Sequence, residues 1–526
     1  MQPLTRSQQF WLAVFLTVWC FVGLTGRDAW RQDEAQALVP LLDWLNSGAL
    51  LPAASPFPLH TLLAGLTAWL GQPWLDMQDG ARLASGVFTL AGLAFTGLAA
   101  RALYGPGYGA ASALALLGCF GLMLRAHAMV PETALLAGYA LLVYGIGLAR
   151  SRPAAGAGAM AAAAFMLALC RGLPDLLAAL LIIFLPMLGR AWRERAYLTA
   201  VRRALAGLGW LLAIWLGLLA LQGGGALAAW WQQFADQLLP DRSPASLLNN
   251  LSWFAWPVWP LALWTLWNEH RRLARVPLLH PVLGAAAATL LLALWPSYSS
   301  GSGLLPVLVP LALLAAYGIA DLKRGAAQGF YWFGVLCFLF FAVAFWVYFA
   351  AIEWGWPARL AARMARMVPD FPAGQTAGAT VLVAGLATLL WLIVIPLFPR
   401  AKARPILVWA TGMALTWLLL GLLFKPWAEA GWGYREQIRA MAAHLPAGAC
   451  LRADVDPGMA VMLRVHLPDR YRAEGECAWW LVARERDEAD AGAWPAEPVW
   501  TGFRPRDRNR RYVLLQLGAA PVVAPR

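Results

Sequence analysis

Apolar runs of about 16–22 residues recur along almost the whole chain, separated by short loops rich in Arg. Nothing else constrains its fold as much. A run of that length, wound into a helix, spans the ~30 Å hydrocarbon core of a bilayer and satisfies its own backbone hydrogen bonds there. Of 526 residues 60% are hydrophobic and 13% charged, against about 25% charged in ordinary soluble domains. A soluble globular protein is thereby excluded, and a mainly α, polytopic membrane protein is expected. The net charge of +13 needs no nucleic acid to explain it, because Lys and Arg collect between apolar runs, where they fix the cytoplasmic side. Many of the 30 Trp residues lie near the ends of runs, as interfacial anchors do.

The first run, 10–24, is followed by Leu24-Thr25-Gly26-Arg27-Asp28, a poor cleavage site, so it reads as a retained signal-anchor with residue 1 in the cytoplasm. Basic clusters at Arg150 and Arg152, 190–203, 271–275, Lys323 with Arg324, and 400–404 are then all cytoplasmic if spans lie near 82–101, 108–124, 131–149, 154–170, 173–189, 204–221, 251–268, 278–296, 303–321, 329–350, 377–398 and 405–424. The total is about thirteen transmembrane helices. The run 59–75, interrupted by Gly71 and Pro73, must start and end on one face and is read as re-entrant or interfacial. Leu38, Leu41, Leu42 and Leu45 recur at helical spacing beside Asp43 and Asn46, the pattern of an amphipathic helix in the interface.

Residues 1–426 thus form a transmembrane domain with a first external loop at about 26–81, and 427–526 a small C-terminal α/β domain outside the membrane. In the latter, Val461-Met462-Leu463, Trp479-Trp480-Leu481-Val482 and Tyr512-Val513-Leu514-Leu515 resemble buried strands. Of six cysteines, Cys20, Cys119, Cys170 and Cys337 lie in apolar runs as small core residues. Cys450 and Cys477 lie outside them, on the side this topology places away from the cytoplasm, where oxidising conditions prevail, and a disulfide between them is expected.

Charge concentrated at a membrane face asks for a reason, and the stretch after the first span carries it: Arg27, Asp28, Trp30, Arg31, Asp33 and Glu34. It is either a solvated juxtamembrane loop or an active site acting on a lipid-borne substrate. The same topology puts on that face 125–132, Arg171, the loop 222–250 with Trp230, Trp231, Asp241 and Arg242, the turn 297–303, and 353–376. In the last, Arg359, Arg363 and Arg366 share one helical face next to a strip of Leu360, Met364 and Met367. Such a helix either rests on anionic headgroups or docks a phosphorylated lipid.

Asp33-Glu34-Ala35-Gln36 just after the first span resembles the first periplasmic loop of bacterial GT-C glycosyltransferases, the branch that holds protein O-mannosyltransferase-like enzymes and lipid A aminoarabinose transferases. The resemblance continues through Ala81-Arg82-Leu83-Ala84-Ser85, Arg-Ala-His-Ala-Met-Val-Pro-Glu at 125–132, Arg171-Gly172-Leu173-Pro174, Leu305-Pro306, and Lys425-Pro426-Trp427. Tyr434-Arg435, Leu445-Pro446-Ala447-Gly448-Ala449-Cys450 and the run from Cys477 to Val482 are similar to the tails of aminoarabinose-transferase-like proteins. It implies transfer of a sugar from a polyprenyl-phosphate donor to lipid A or another envelope glycolipid, on the periplasmic face of the bacterial inner membrane. The family's loop acid maps onto Asp33, and the acid of its second periplasmic loop onto Glu132. Two stretches depart from the family. Relatives commonly carry a Lys or His before a Pro-Pro pair, where this chain has Ser55-Pro56-Phe57-Pro58-Leu59-His60 with no Lys, and Ser299-Ser300-Gly301-Ser302-Gly303 lacks a Lys-Arg pair.

A polyprenyl phosphate is a good leaving group, so the protein mainly has to bind phosphate and orient the acceptor. Asp33 is the candidate base for an acceptor hydroxyl, or the stabiliser of a cationic sugar-like transition state, with Glu34 and Glu132 as further catalytic candidates. Positive charge for the phosphate could come from His60, Arg82, Arg125, His127, Arg171 or Lys425, although Arg82 and Arg171 would equally anchor span ends. Arg359, Arg363 and Arg366 are the acceptor-side candidates. Asp33 or Glu132 could hold a divalent ion, but no dense ligand set argues for one, and no other cofactor is implied. The competing classes are a transporter or flippase of lipid-linked sugars and a non-catalytic scaffold. The near absence of charge inside the spans and of an internal repeat speaks against the transporter.

Overall fold

The computed structural model describes residues 3–236, 246–294, 301–369, 371–398, 401–487, 494 and 496–517. Asp241, Arg242, Ser297, Ser299, Ser300 and Arg400 lie outside them. In chain order the helices are α1 (Arg6–Phe21), α2 (Gln32–Gln36), α3 (Val39–Ser47), α4 (Pro58–Gly71), α5 (Met77–Tyr104), α6 (Gly109–Leu117), α7 (Phe120–Ala126), α8 (Thr133–Ala149), α9 (Pro153–Ala168), α10 (Leu173–Phe184) and α11 (Arg195–Gln222). They continue as α12 (Ala226–Asp236), α13 (Ser246–Phe254), α14 (Val258–Glu269), α15 (His280–Leu294), α16 (Leu305–Gly318), α17 (Arg324–Trp354), α18 (Ala358–Met367), α19 (Gly378–Leu397), α20 (Arg404–Leu423), α21 (Lys425–Trp432), α22 (Arg435–Ala442) and α23 (Pro457–His466). Five strands complete the chain: β1 (Leu451–Asp454), β2 (Tyr471–Arg472), β3 (Trp479–Glu485), β4 (Pro498–Gly502) and β5 (Arg510–Gln516).

The chain divides into two compact units, one of residues 1–25, 40–342 and 385–418, the other of residues 26–39, 343–384 and 419–526. The larger is helical and centred on α8, which packs on α5 and α9 and buries nearly all of its side chains. The Ala- and Gly-rich sequence of α9 lets it approach closely, as small residues do where helices meet in lipid. By length and composition six described helices can cross a membrane, or seven counting a bent pair, and four shorter apolar helices accompany them. The apolar windows of α11 and α19 are only 22% and 17% buried, so their outer faces suit lipid rather than water.

Two runs that read as single spans are broken. The run 108–124 becomes α6 and α7, bent by 71°. The break falls at Gly118, whose carbonyl accepts a hydrogen bond from the Trp409 indole at 2.8 Å. A Cβ on Gly118 would lie 2.7 Å from that ring, so the indole packs against the chain where the helical ladder stops. The run 251–268 is likewise split into α13 and α14. The 14-residue α4 extends only about 21 Å at 1.5 Å per residue, short of a crossing.

The smaller unit carries a five-stranded sheet in the order β2-β1-β3-β5-β4. β1 runs parallel to β2 and β3, while β5 is antiparallel to β3 and β4. Val461-Met462-Leu463, read above as a strand, lies instead inside α23. A three-residue apolar run is ambiguous between the two periods. The Asp456 side chain caps this helix by accepting from Met459 N at 3.1 Å, and Pro457 sits at its first turn. Cys450 and Cys477 form a disulfide with Cα atoms 5.3 Å apart, joining the chain just before β1 to the chain just before β3.

Candidate active site

The acidic loop belongs to the smaller unit, and its two adjacent carboxylates have different surroundings. Glu34 is buried and meets Arg27 through two hydrogen bonds of 2.7 and 3.0 Å. It also accepts the Trp30 backbone N–H at 3.3 Å, while the Arg27 guanidinium lies 4.7 Å from the Trp30 ring centroid. Asp33 is half exposed and is held by Arg31 through two 2.9 Å bonds. It also accepts the N–H of Glu34 at 3.0 Å. Adjacent side chains in the first turn of a helix point about 100° apart, so only one of the pair can face inward.

Asp28 is the anchor of this loop. It is fully buried, and Oδ2 accepts the backbone N–H groups of Tyr434 and Arg435 at 2.8 Å each, at the start of α22. Oδ1 lies 3.2 Å from His466 Nε2 at the end of α23. Burial alone would raise the Asp28 carboxyl. The hydrogen bond and charge of His466, with the two backbone N–H groups, outweigh it and hold the pKa below the ordinary carboxylate value. The Asp28 N–H in turn donates to both oxygens of Glu429 on α21, at 3.0 and 3.1 Å, and the Trp30 indole donates to Glu429 Oε2 at 2.8 Å. Trp30 also meets Trp432 edge-on.

Lys425, at the start of α21, lies against the preceding part of the same loop. Gly26 adopts φ +70°, so that position needs glycine for conformation, and a Cβ there would fall 2.6 Å from Lys425 Nζ, the movable end of a flexible side chain. Arg359, Arg363 and Arg366 are exposed on α18, whose other side seats Met364 in a cluster with Val368 and Trp427.

The larger unit assembles a second set of the expected residues. Glu132 occupies the position just before α8 without a side-chain capping bond and lies 3.4 Å from Arg171, and the Arg171 guanidinium is 5.9 Å from the Phe57 ring. One turn beyond Arg171, buried Asp175 accepts the Tyr139 hydroxyl at 2.6 Å. Ser85 ties His60 to the chain just before Glu132, with its hydroxyl 3.1 Å from His60 Nε2 and accepting the Val130 N–H at 3.0 Å. Arg82 is fully buried, donating at 2.7 Å to both Asp79 and the Leu24 carbonyl. His127 places Nε2 2.7 Å from the Trp19 carbonyl and Nδ1 3.1 Å from the Met123 carbonyl, with its ring stacked on Trp417. Arg82 and His127 are therefore bonded within the helical bundle. Arg125 is partly exposed. No three metal-ligating side chains gather among the described residues.

Glu429 and His466 were not signalled by any local pattern, because their partners lie 401 and 438 residues away in sequence. Asp28 stood in the charged stretch, yet its burial could not be read there.

No protein-family model matches the sequence, and no curated protein matches it. Among solved structures, ArnT from Cupriavidus metallidurans bound to undecaprenyl phosphate superimposes over 99% of this chain and 100% of its own, with a TM-score of 0.62 and 17% identity. ArnT from the same organism in the apo state covers 97% of this chain and 98% of its own, with a TM-score of 0.62 and 18% identity. The fold is therefore that of ArnT, end to end, a helical portion with a small C-terminal sheet.

Proposed function

We propose that this chain is an integral-membrane glycosyltransferase that moves a sugar from a polyprenyl-phosphate donor to an acceptor at the membrane surface. The observation that carries this reading is the end-to-end likeness to a structure solved with undecaprenyl phosphate bound. The acceptor proposed is lipid A or another envelope glycolipid. The setting proposed is the bacterial inner membrane, crossed about thirteen times, with the acidic loop and residues 427–526 on the periplasmic side.

In the reaction the acceptor oxygen attacks the anomeric carbon, the bond from that carbon to the donor phosphate oxygen breaks, and polyprenyl phosphate leaves with the electron pair. With a hydroxyl acceptor, the proton passes to a carboxylate base, the role proposed for Asp33. With a phosphate acceptor no proton moves, and Asp33 stabilises positive charge on the sugar ring. Its half exposure supports this role, whereas Glu34 is committed to Arg27 and supports the loop. Glu132 is proposed as a second acid, oriented by Arg171. Among the basic groups, Arg171, Lys425 and Arg125 are proposed for the leaving phosphate; Arg82 and His127 are bonded within the helical bundle, and His60 is buried beside Ser85, where burial lowers its pKa to about 3 and leaves it without positive charge. The exposed Arg359, Arg363 and Arg366 are proposed to dock an anionic acceptor. A divalent ion at Asp33 would have to share that carboxylate with Arg31.

The test is transfer by purified protein from a labelled polyprenyl-phosphate sugar to lipid A. Asp33→Asn should still bind donor and lose about 100-fold or more in rate. Replacing Arg359, Arg363 and Arg366 by Gln should weaken acceptor use more than donor binding. Passage of donor across vesicle membranes without transfer would assign a flippase instead, and donor binding with neither transfer nor passage would assign a scaffold.

A further inference from the structure

Where β4 runs into β5, Arg504, Arg506, Arg508, Arg510 and Arg511 fall within eight residues, with Asp507 the only acid among them. Three of the five hold the connection in shape. Arg504 is buried, its guanidinium 3.8 Å from the Tyr434 ring centroid, and it donates to the Trp432 carbonyl at 3.3 Å. Arg510 pairs with Asp456 at 3.4 Å and with Asp507 at 3.7 Å, and the Arg511 guanidinium lies 4.4 Å from the Phe503 ring. Arg506 and Arg508 are exposed, and no carboxylate pairs with either among the described residues. The Arg506 guanidinium lies 5.2 Å from the Trp432 ring, and Arg508 Nε donates to the Pro505 carbonyl at 3.3 Å.

Two chain connections set the depth of this pair. α21 begins two residues after α20, a helix long and apolar enough to cross a membrane, and its eight residues extend only about 12 Å. Near the end of α21 the Gly431 carbonyl accepts the Arg506 N–H at 3.1 Å. α18 begins four residues after α17, a second helix of membrane length, and exposed Trp354 and Trp356 mark that junction as indoles do at an interface. Val368, just after α18, packs on the same Gly431, where a Cβ would lie 2.8 Å from Val368 Cγ2. The end of α18 and the β4–β5 connection are therefore neighbours, both close to where two apolar helices leave the hydrocarbon.

We propose that Arg506 and Arg508 rest on the anionic phospholipid headgroups of the surrounding bilayer and so fasten the five-stranded sheet to the membrane surface. Exposed like charges side by side repel, and an anionic surface turns that repulsion into attraction. Guanidinium forks take phosphate oxygens in pairs, and each basic group at such a surface strengthens attachment about fivefold. Because Arg504 and Arg510 already fix the backbone, little further order has to be imposed when the pair docks. The pair stands on an open surface at headgroup depth, which suits a lipid bilayer better than a free anion in need of an enclosing pocket.

The test uses the full chain in nanodiscs of phosphatidylcholine, with or without phosphatidylglycerol, and reads hydrogen exchange across 503–509. In the wild type phosphatidylglycerol should slow exchange there by about tenfold or more, and high salt should remove the effect. Arg506→Gln combined with Arg508→Gln should abolish this lipid dependence. Exchange of the double variant in phosphatidylcholine alone, and in β3 and β5, should match the wild type. Equal exchange of the wild type in both lipids overturns the proposal without any variant, as does slowing that survives in the double variant. Two further arms separate the sources of phosphate in phosphatidylcholine discs. Inorganic phosphate that slows 503–509 as much as phosphatidylglycerol does would assign a small-anion site instead. Slowing by lipid A with none by phosphatidylglycerol would assign the pair to the acceptor, and either result overturns the bilayer contact.

Discussion

Asp33 and Glu34 are neighbours in sequence, and their replacements should fail in different ways. The Glu34 side chain is 4% exposed and the Arg27 side chain that grips it 3%. Removing one partner of a buried pair costs about 3–5 kcal/mol, because the other charge stays buried without compensation. Gln in place of Glu34 keeps the shape and one accepting oxygen, so the lower end, about 3 kcal/mol, is expected. The Arg31–Asp33 pair is 50% exposed on both sides, and pairs in that setting contribute only about 0–1 kcal/mol. Glu34→Gln should therefore unfold at lower denaturant in mild detergent and lose exchange protection across 27–34, with activity lost in proportion to the loop's disorder. Asp33→Asn should unfold like the wild type and lose transfer alone. Arg27→Met combined with Glu34→Leu should recover much of the stability, since both charges leave together. If Glu34→Gln unfolds like the wild type, or if Asp33→Asn is destabilised as much, this division between a supporting and a reacting acid is wrong.

Breaking the Cys450–Cys477 disulfide, whose cysteines are 27 positions apart, should destabilise the sheet region by about 3–4 kcal/mol, read as a lower unfolding midpoint in reductant. An unchanged midpoint would refute it. Asp28 has a lowered pKa, so its contribution to stability is complete above its ordinary value of 3.8 and is lost as pH falls through the lower folded value. Wild-type stability should drop below about pH 4 and this limb should flatten in Asp28→Asn, whereas a limb unchanged in the variant would count against the assignment. Gly26→Ala should cost about 1–2 kcal/mol for its positive φ and also displace the Lys425 ammonium. Only the steric part should be relieved in a Lys425→Ala background, and an additive double variant would show that the two do not touch.

Long apolar runs made the helical membrane class readable, because length and hydrophobicity decide it without knowledge of neighbours. Helix continuity was not readable in the same way. The break at Gly118 depends on an indole 291 residues away, and nothing within 108–124 announces it. α23 was legible in principle from Asp456 followed by Pro457, a capping residue and a first-turn proline, but the apolar triplet favoured the strand reading. At the site, the charged cluster after the first span was visible, yet which acid is buried was not. That depends on Arg27 folding back seven residues and on partners from the far end of the chain. The cysteine pair was legible by exclusion, since every other cysteine sits in an apolar run.

The lipid-facing helix α11 measures the bilayer it requires. Its 28 residues extend about 42 Å, more than the ~30 Å of a typical hydrocarbon core. Arg195, Arg202 and Arg203 occupy its first turns, and the 19 residues from Ala204 to Gln222 carry no charge and extend about 28 Å. The two exposed arginines at 202 and 203 thus act as a gauge, set at the depth where headgroups should begin. In thicker lipid they would be drawn toward the acyl chains unless they snorkel or the bilayer thins around them, each at a cost of fractions of a kcal/mol per Å. Acyl-chain length is then a variable that this protein reads, and reconstitution in a series of phospholipids of increasing chain length should show an optimum rather than a plateau.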